Sequence, residues 1–375
     1  MGSYARIRIS GDTATRSRQY GELAREQITF IRDGYAEAYA AKGVSWSDAV
    51  AQALAYVPTV EVAFPELLEE IRGIAEGSGL SFEDVMTINC RSEILHAATV
   101  GGARTTAPWR AFGECSSFAL EDDRSATGTA IVGQNWDWLE ALGPGTIVLE
   151  VEREDGPNYV SIVEAGLLAK MTMNAHGIAM GINTLVTTLD GTTNGVPFHF
   201  FIRKLADAES LAGALDILAS VGRATSGNYL LASADGSVLN LETSPGDARN
   251  VTPQISTDGV LLHTNHFIAP VHGGQDLAQV SMSDSFVRLG RMTRNVRNQD
   301  GPLDTALLRA ALSDHAEHPN SVCCHPDPAS DPKSRWKTLA SVFMNPAARS
   351  ISYTEGPPCE SEWIDADYSE FLSGK

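Results

Sequence analysis

The chain has 375 residues, 43% hydrophobic and 20% charged, an ordinary balance for a water-soluble globular protein with room for a large core. Its 28 basic and 47 acidic residues leave a formal charge of −19, a field that repels nucleic acid and anionic membrane surfaces, so neither partner is expected. No apolar run is long enough for a transmembrane helix, and Met1-Gly-Ser-Tyr-Ala-Arg lacks the apolar stretch of an export signal, which predicts a cytoplasmic protein.

In chain order, the first 95 residues read mainly as helix. Leu23, Ile31, Tyr35 and Tyr39 recur near helical spacing, and Val62, Leu67, Ile71 and Ile74 mark a second apolar face. Pro65 suits the first turn of that second helix, and Ser81-Phe-Glu-Asp84 reads as a capping box opening a third helix through Ile94. Gly101 to Pro108 is polar and glycine-rich, which predicts an exposed linker. Beyond Cys115 short strands are predicted at 129–136, 146–152, 158–163, 168–174 and 178–184, then helices at 197–206 and 208–219. Strands at 227–234, 237–242 and 259–264, helices at 283–297 and 303–313, and strands at 338–344 and 349–354 complete the chain. Ala234-Asp-Gly236 signals a hairpin, and the acidic stretch 121–128 reads as a hairpin extension. Strands and helices in blocks argue an α+β layered domain, not alternating βαβ units.

Phosphate-loop, dinucleotide, zincin and nucleophile-elbow motifs are all absent, so no cofactor is expected. Five cysteines, Cys90, Cys115, Cys323, Cys324 and Cys359, form no C-x-x-C pair and predict neither a disulfide framework nor a zinc ribbon. At most one of these thiols calls for a special explanation. His315-Ala-Glu-His318 and His263-Thr-Asn-His266 each place two histidines three apart, yet neither stands by a ligand set with zinc-like spacing. Both pairs are therefore expected to be structural or solvent-facing, and no metal is predicted.

Cys115 lies where the linker-like segment gives way to a β-like one, within Ala111-Phe-Gly-Glu-Cys-Ser-Ser-Phe. A free cysteine is by default a small buried hydrophobe. The other reading is chemical. Were the chain to break before Cys115, that residue would carry both a thiol and an α-amine titrating near 7.7–8.0, close enough to working pH to accept the thiol proton.

This segment resembles the processing site of the acyl-coenzyme A:6-aminopenicillanate acyltransferase family, a branch of the N-terminal-nucleophile hydrolases. The likeness extends through Gly133-Gln-Asn-Trp-Asp-Trp138, Glu164-Ala-Gly-Leu, Gly195-Val-Pro197, Leu241-Glu-Thr-Ser-Pro245, His263-Thr-Asn-His266 and Lys333-Ser-Arg335, in one order. The resemblance implies a four-layer αββα sandwich and self-cleavage of the Glu114–Cys115 bond. Residues 1–114 would then be a helix-rich α-chain that stays bound to the β-chain, residues 115–375, alone or within a larger oligomer. It implies that Cys115 is the nucleophile, that Asp137 orients its amine, and that Arg335 favours the thiolate. Asn265, with Asn183 as a second donor, would form the oxyanion hole, while Ser244 and Ser334 would support processing. Phe112, Trp138, Phe198 and Phe200 are candidate walls of the substrate pocket. One departure stands out: relatives often carry Gly before the cysteine, where this chain has Glu114, and Gly eases the strained geometry of an N→S acyl shift.

The expected activity is hydrolysis of a small N-acyl compound through a Cys115 thioester. The same acyl-enzyme would serve transfer from a thioester such as acyl-coenzyme A to an amine, although the acidic charge gives no help to so anionic a donor. A processed but non-catalytic scaffold is the alternative of another class.

Overall fold

The computed structural model describes residues 4–102, 114–191 and 194–373. Strand β1 (Ala5–Gly11) comes first, then α1 (Thr13–Leu23), α2 (Arg25–Ala40), α3 (Trp46–Leu54) and α4 (Val57–Ala63). Helices α5 (Pro65–Ser78), α6 (Phe82–Asn89) and α7 (Arg91–Gly102) complete the helical stretch. Six strands follow: β2 (Glu114–Leu120), β3 (Ile131–Leu139), β4 (Thr146–Arg153), β5 (Tyr159–Glu164), β6 (Met171–Asn174) and β7 (Ile178–Thr184). Next are α8 (Phe198–Leu205), α9 (Leu211–Ser220), β8 (Gly227–Ser233), β9 (Val238–Thr243), β10 (Val251–Gln254) and β11 (Val260–His263). The last third holds α10 (Ala278–Ser281), α11 (Asp284–Met292), α12 (Thr305–Leu312), β12 (Trp336–Asn345), β13 (Ser350–Thr354) and β14 (Trp363–Asp367).

The strands form two sheets, ordered β1-β4-β5-β6-β7-β8-β9-β10 and β11-β2-β3-β12-β13-β14. They pack face to face where β2 and β3 cross β7 and β8. Helices cover both outer faces, α1 and α9 on the larger sheet and α11 and α12 on the smaller, so the chain is an αββα sandwich. Side-chain alternation along β2 sorts the layers. Cys115 and Ala119 join the main core between the sheets, while Phe118 and Leu120 join a second core with Met292, Val296, Leu308 and Leu312 of the covering helices. Gly133 of β3 lies in that second core, where a Cβ would stand 2.4 Å from the Phe118 ring.

The helix starts follow local chemistry. Pro65 occupies the first turn of α5, and Ser81 with Asp84 forms the capping box of α6. That third helix does not run through to Ile94: α6 ends at Asn89 and α7 begins at Arg91. Leu23 and Val62 are exposed, so the buried stripes there are carried by their neighbours. The helix-rich N-terminal segment also holds a strand. β1 pairs in parallel with β4 along its whole length and completes one edge of the larger sheet. Arg203 of α8 grips Glu70 of α5 with two hydrogen bonds, at 3.0 and 2.7 Å, and Arg16 of α1 reaches the same carboxylate at 3.2 Å. These ions are buried and mutually paired, the condition under which such a cluster is tolerated.

Candidate active site

Cys115 is the second residue of β2 and sits opposite Trp136 of β3. Its side chain lines a small cavity with Trp136, Trp138, Ile182, Thr184, Phe198, Arg91 and Lys170. Two of the predicted wall residues, Trp138 and Phe198, are thus brought to the thiol. Phe200 is not; it is fully buried in the core from α8. Phe112 lies outside the described residues. The helical segment contributes to the wall directly: Arg91 stacks 4.0 Å from the Trp138 ring, whose Nε1 donates to the Tyr35 hydroxyl at 2.9 Å.

Two cations under the tryptophans share one carboxylate. Arg91 and Lys170 each lie 3.0 Å from Glu164 Oε2, and the Tyr35 hydroxyl donates to the other oxygen of the same group. Burial holds the Lys170 ammonium down to about 7, against the pull of Glu164, and its Nζ sits 3.7 Å from the Trp136 ring. At the thiol itself burial acts first and the charge of Asp137 second, pushing Cys115 up to about 12 while Lys170 and Arg288 pull the other way. With the chain intact this thiol holds its proton.

The backbone of Cys115 is held by a polar socket on the far side of β2. Its N–H donates to Asn265 Oδ1 at 2.7 Å, and Arg288 Nη1 donates to its carbonyl at 2.8 Å and to Ser116 Oγ at 3.1 Å. Arg288 Nη2 donates to Asn265 Oδ1 at 3.0 Å, and its Nε to Asp284 at 2.9 Å. A guanidinium only donates, so the amide atom facing it is the oxygen, and Asn265 Nδ2 is turned to the Thr184 carbonyl at 3.0 Å. Asn265 therefore reaches the backbone of Cys115, where it accepts from the nitrogen, and one of its two amide protons is given to Thr184. Asn183 accepts from Ser117 Oγ and Asn228 Nδ2, and its own buried Nδ2 makes no hydrogen bond.

Asp137 Oδ1 accepts from Thr338 Oγ1 at 2.5 Å, and Thr338 Oγ1 in turn accepts the backbone N–H of Cys324 at 2.9 Å. In the same Asn-Trp-Asp block Asn135 donates to the carbonyls of Leu312 and Val322, at 2.8 and 2.7 Å. That block thus joins the cavity wall to the loop that ends at β12.

Arg335 is not brought to the thiol. It precedes β12, whose first residue pairs with Leu139, and its guanidinium closes its own loop on the carbonyls of Ser330 and Pro328, each at 3.2 Å. Arg288 is the arginine that reaches the Cys115 strand. Its sequence signal is an arginine on the buried stripe Ser285, Arg288, Met292, Val296. Lys170 left a similar trace, as the one cation in the apolar run from Leu167 to Met171. Ser334 is exposed and donates to the Asp331 carbonyl, and Ser244 accepts from Asn250 Nδ2 at 3.0 Å; both hold turns, and neither hydrogen-bonds to Cys115. The backbone of Glu114 opens β2 opposite Asp137.

The second histidine pair is structural. His263 Nε2 contacts Glu242 at 2.8 Å, and His266 Nδ1 stands 2.7 Å from Ser285 Oγ, which also accepts the Asn265 backbone N–H. One member of the first pair, His315, is part of a larger cluster. His315 stands beside His325, Cys323 and Cys359, residues its three-residue spacing to His318 does not reveal. More than one thiol therefore needs an account.

Burial, with the charges of His263 and Arg288, holds His266 down to about 4. Between that value and the ordinary 6.5 the unfolded chain binds more protons than the folded one, so stability falls as pH drops through the window. His266→Asn should flatten this acid slope, read from thermal melts between pH 7 and 4. An unchanged slope in the variant would remove His266 as its source.

The described residues thus form a four-layer αββα sandwich with a thiol at the start of an inner strand. The chain belongs to the acyl-coenzyme A:6-aminopenicillanic acid acyl-transferase family, whose model matches residues 124–360. It is 26% identical over 297 residues to the 40 kDa form of the acyl-coenzyme A:6-aminopenicillanic-acid-acyltransferase of Emericella nidulans, spanning 79% of this chain and 76% of that one. Two solved structures are similar over part of the chain. A mutant of the conjugated bile acid hydrolase of Clostridium perfringens has a TM-score of 0.47 at 14% identity, covering 70% of this chain and 94% of its own. Penicillin V acylase of Agrobacterium tumefaciens has a TM-score of 0.44 at 13% identity, covering 69% and 88%.

Proposed function

We propose that this protein is a self-processing cysteine amidohydrolase that cleaves a small N-acyl compound through an acyl-thioester on Cys115. The observation that carries the reading is the socket around Cys115: its backbone nitrogen lies 2.7 Å from Asn265 Oδ1 while its thiol faces the cavity. Scission of the Glu114–Cys115 bond turns that nitrogen into an amine next to a hydrogen-bond acceptor and the Asp137 charge. The amine then takes the proton that burial otherwise keeps on the thiol. The thiolate attacks the amide carbonyl and Asn183 Nδ2 offers a donor to the developing oxyanion; the C–N bond breaks as the α-ammonium returns its proton to the leaving amine, and water then resolves the thioester to free acid and thiol. Residues 1–114 stay bound as an α-chain, since Arg91 belongs to the cavity wall, Tyr35 holds the wall residue Trp138, and β1 belongs to the sheet.

The cavity is small and four of its walls, Trp136, Trp138, Ile182 and Phe198, are apolar, which favours a short apolar acyl group. Transfer to an amine is the second reading, favoured by the name of the Emericella relative. Mature enzyme given labelled N-acyl amino acids and acyl amines, with and without a second amine, should release most of the label as free acid. Quantitative transfer to the amine would replace hydrolysis with acyl transfer. No turnover of any compound by fully cleaved protein would favour the scaffold.

A further inference from the structure

Away from the cavity, three side chains of one loop and a fourth from between β13 and β14 converge. The loop 314–325 folds back on itself, with Cys323 N–H donating to the Asp314 carbonyl and His325 N–H to the Pro319 carbonyl, each at 3.0 Å. His315, Cys323 and His325 thereby face one point, and Cys359, between β13 and β14, closes on it. His325 Nε2 lies 3.1 Å from His315 Nε2, 3.5 Å from Cys323 Sγ and 3.3 Å from Cys359 Sγ, and the two sulfurs are 3.5 Å apart. All four atoms fall within 4.8 Å of one another.

A tetrahedral zinc ion with bonds of ~2.3 Å to sulfur and ~2.0–2.1 Å to nitrogen sets its ligand atoms roughly 3.3–3.8 Å apart. The four measured edges fall within a few tenths of an ångström of that range. Two sulfurs 3.5 Å apart are far from the ~2.05 Å of a disulfide. The surroundings also suit a ligand histidine. The Glu360 carboxylate lies 3.4 Å from His325 Nδ1, on the side of the ring away from the cluster, where a ligand histidine commonly has a carboxylate neighbour. His315 and Cys359 are exposed, which gives an ion a path from solvent.

We propose that His315, Cys323, His325 and Cys359 form a structural Cys2His2 site for a divalent zinc-like ion. Four protein ligands leave no open position, so the ion does no catalysis and acts as a clamp. It fastens the C-terminal hairpin to the loop whose Val322 carbonyl and Cys324 N–H meet Asn135 and Thr338. Binding releases the two thiol protons, leaving two thiolates and two neutral imidazoles around the ion.

The test uses the full chain produced with zinc supplied and then gel-filtered under reducing conditions. Elemental analysis should find about one zinc per chain, and Cys359→Ser and His315→Ala should each lose most of it. Chelated wild-type protein refilled with Co(II) should show tetrahedral ligand-field bands with thiolate charge-transfer absorption, lost in Cys323→Ser. Chelation should lower the melting midpoint by about 3–5 °C, restored by zinc. Should a variant fail to fold, the cobalt spectrum of the wild type still decides. The proposal falls if the reduced wild-type chain neither retains zinc nor gives that spectrum. It also falls if zinc content is unchanged in both ligand variants, or if the native protein carries a Cys323–Cys359 disulfide, seen as a 2 Da deficit in the intact mass.

Discussion

Replacing Cys115 with Ala should leave the chain as one species near 40.1 kDa and lower turnover by about 10⁴–10⁶-fold. Both effects come from one atom, because the same sulfur would shift the Glu114 acyl group during scission and later carry the substrate acyl group. Neighbours cannot stand in for it. Cys90 is fully buried, its thiol held well above the ordinary range by burial, and no other cysteine lines the cavity among the described residues. Intact mass spectrometry and an amidase assay on the same sample check the two halves together. A variant that still splits and still turns over would end the proposal. One that splits but does not turn over would separate processing from catalysis and move the first to another group.

Arg288→Leu should be the next most damaging change, and Arg335→Ala should be nearly silent. Arg288 is buried and holds the Cys115 carbonyl, Ser116, Asn265 and Asp284 together. Removing it breaks a buried ion pair with Asp284 and releases Asn265, an expected cost of about 3–5 kcal/mol. Activity should fall on the order of 10²–10³-fold through misplacement of Asn265. Arg288→Lys keeps a positive charge but not the planar fork, so it should recover stability more than rate. Arg335 satisfies only two carbonyls of its own loop, and its loss should cost a few-fold at most. Melting curves and kcat for the three variants settle the order; an inactive Arg335→Ala beside an active Arg288→Leu would reverse the assignment.

Much of the layering was legible from residues 129–354 because period-two and helical patterns there agree with the turns between them. Short edge strands were harder. β10 and β14 are only four and five residues long and partly exposed, so neither carries a continuous apolar run. β1 alternates, but a seven-residue strand ahead of seven helices gives no hint of its partner, which lies some 140 residues on. At the site, Cys115, Asp137 and Asn265 could be picked out because each belongs to a compact block of matched residues. Arg288 and Lys170 could not, since their importance comes from burial beside Cys115, a tertiary fact. Arg335 shows the opposite failure: a matched block identifies a residue but not the direction in which its loop sends the side chain. The Cys2His2 cluster was hidden by a gap of 34 residues between His325 and Cys359.

The partnership of β1 with β4 bears on what self-cleavage would do to reversibility. While the chain is whole, β1 and the helices behind it are tethered to the sheet they complete, and refolding is a unimolecular event. Once the bond before Cys115 is cut, the same contacts must be found by two separate polypeptides, and their effective concentration drops to that of the solution. The cut enzyme would hold together as well as its precursor until it first melts, and then would not come back at low concentration. Maturation by such a cut would be a step the molecule takes once, after folding, with its endurance thereafter set by how slowly the sheet edge lets go.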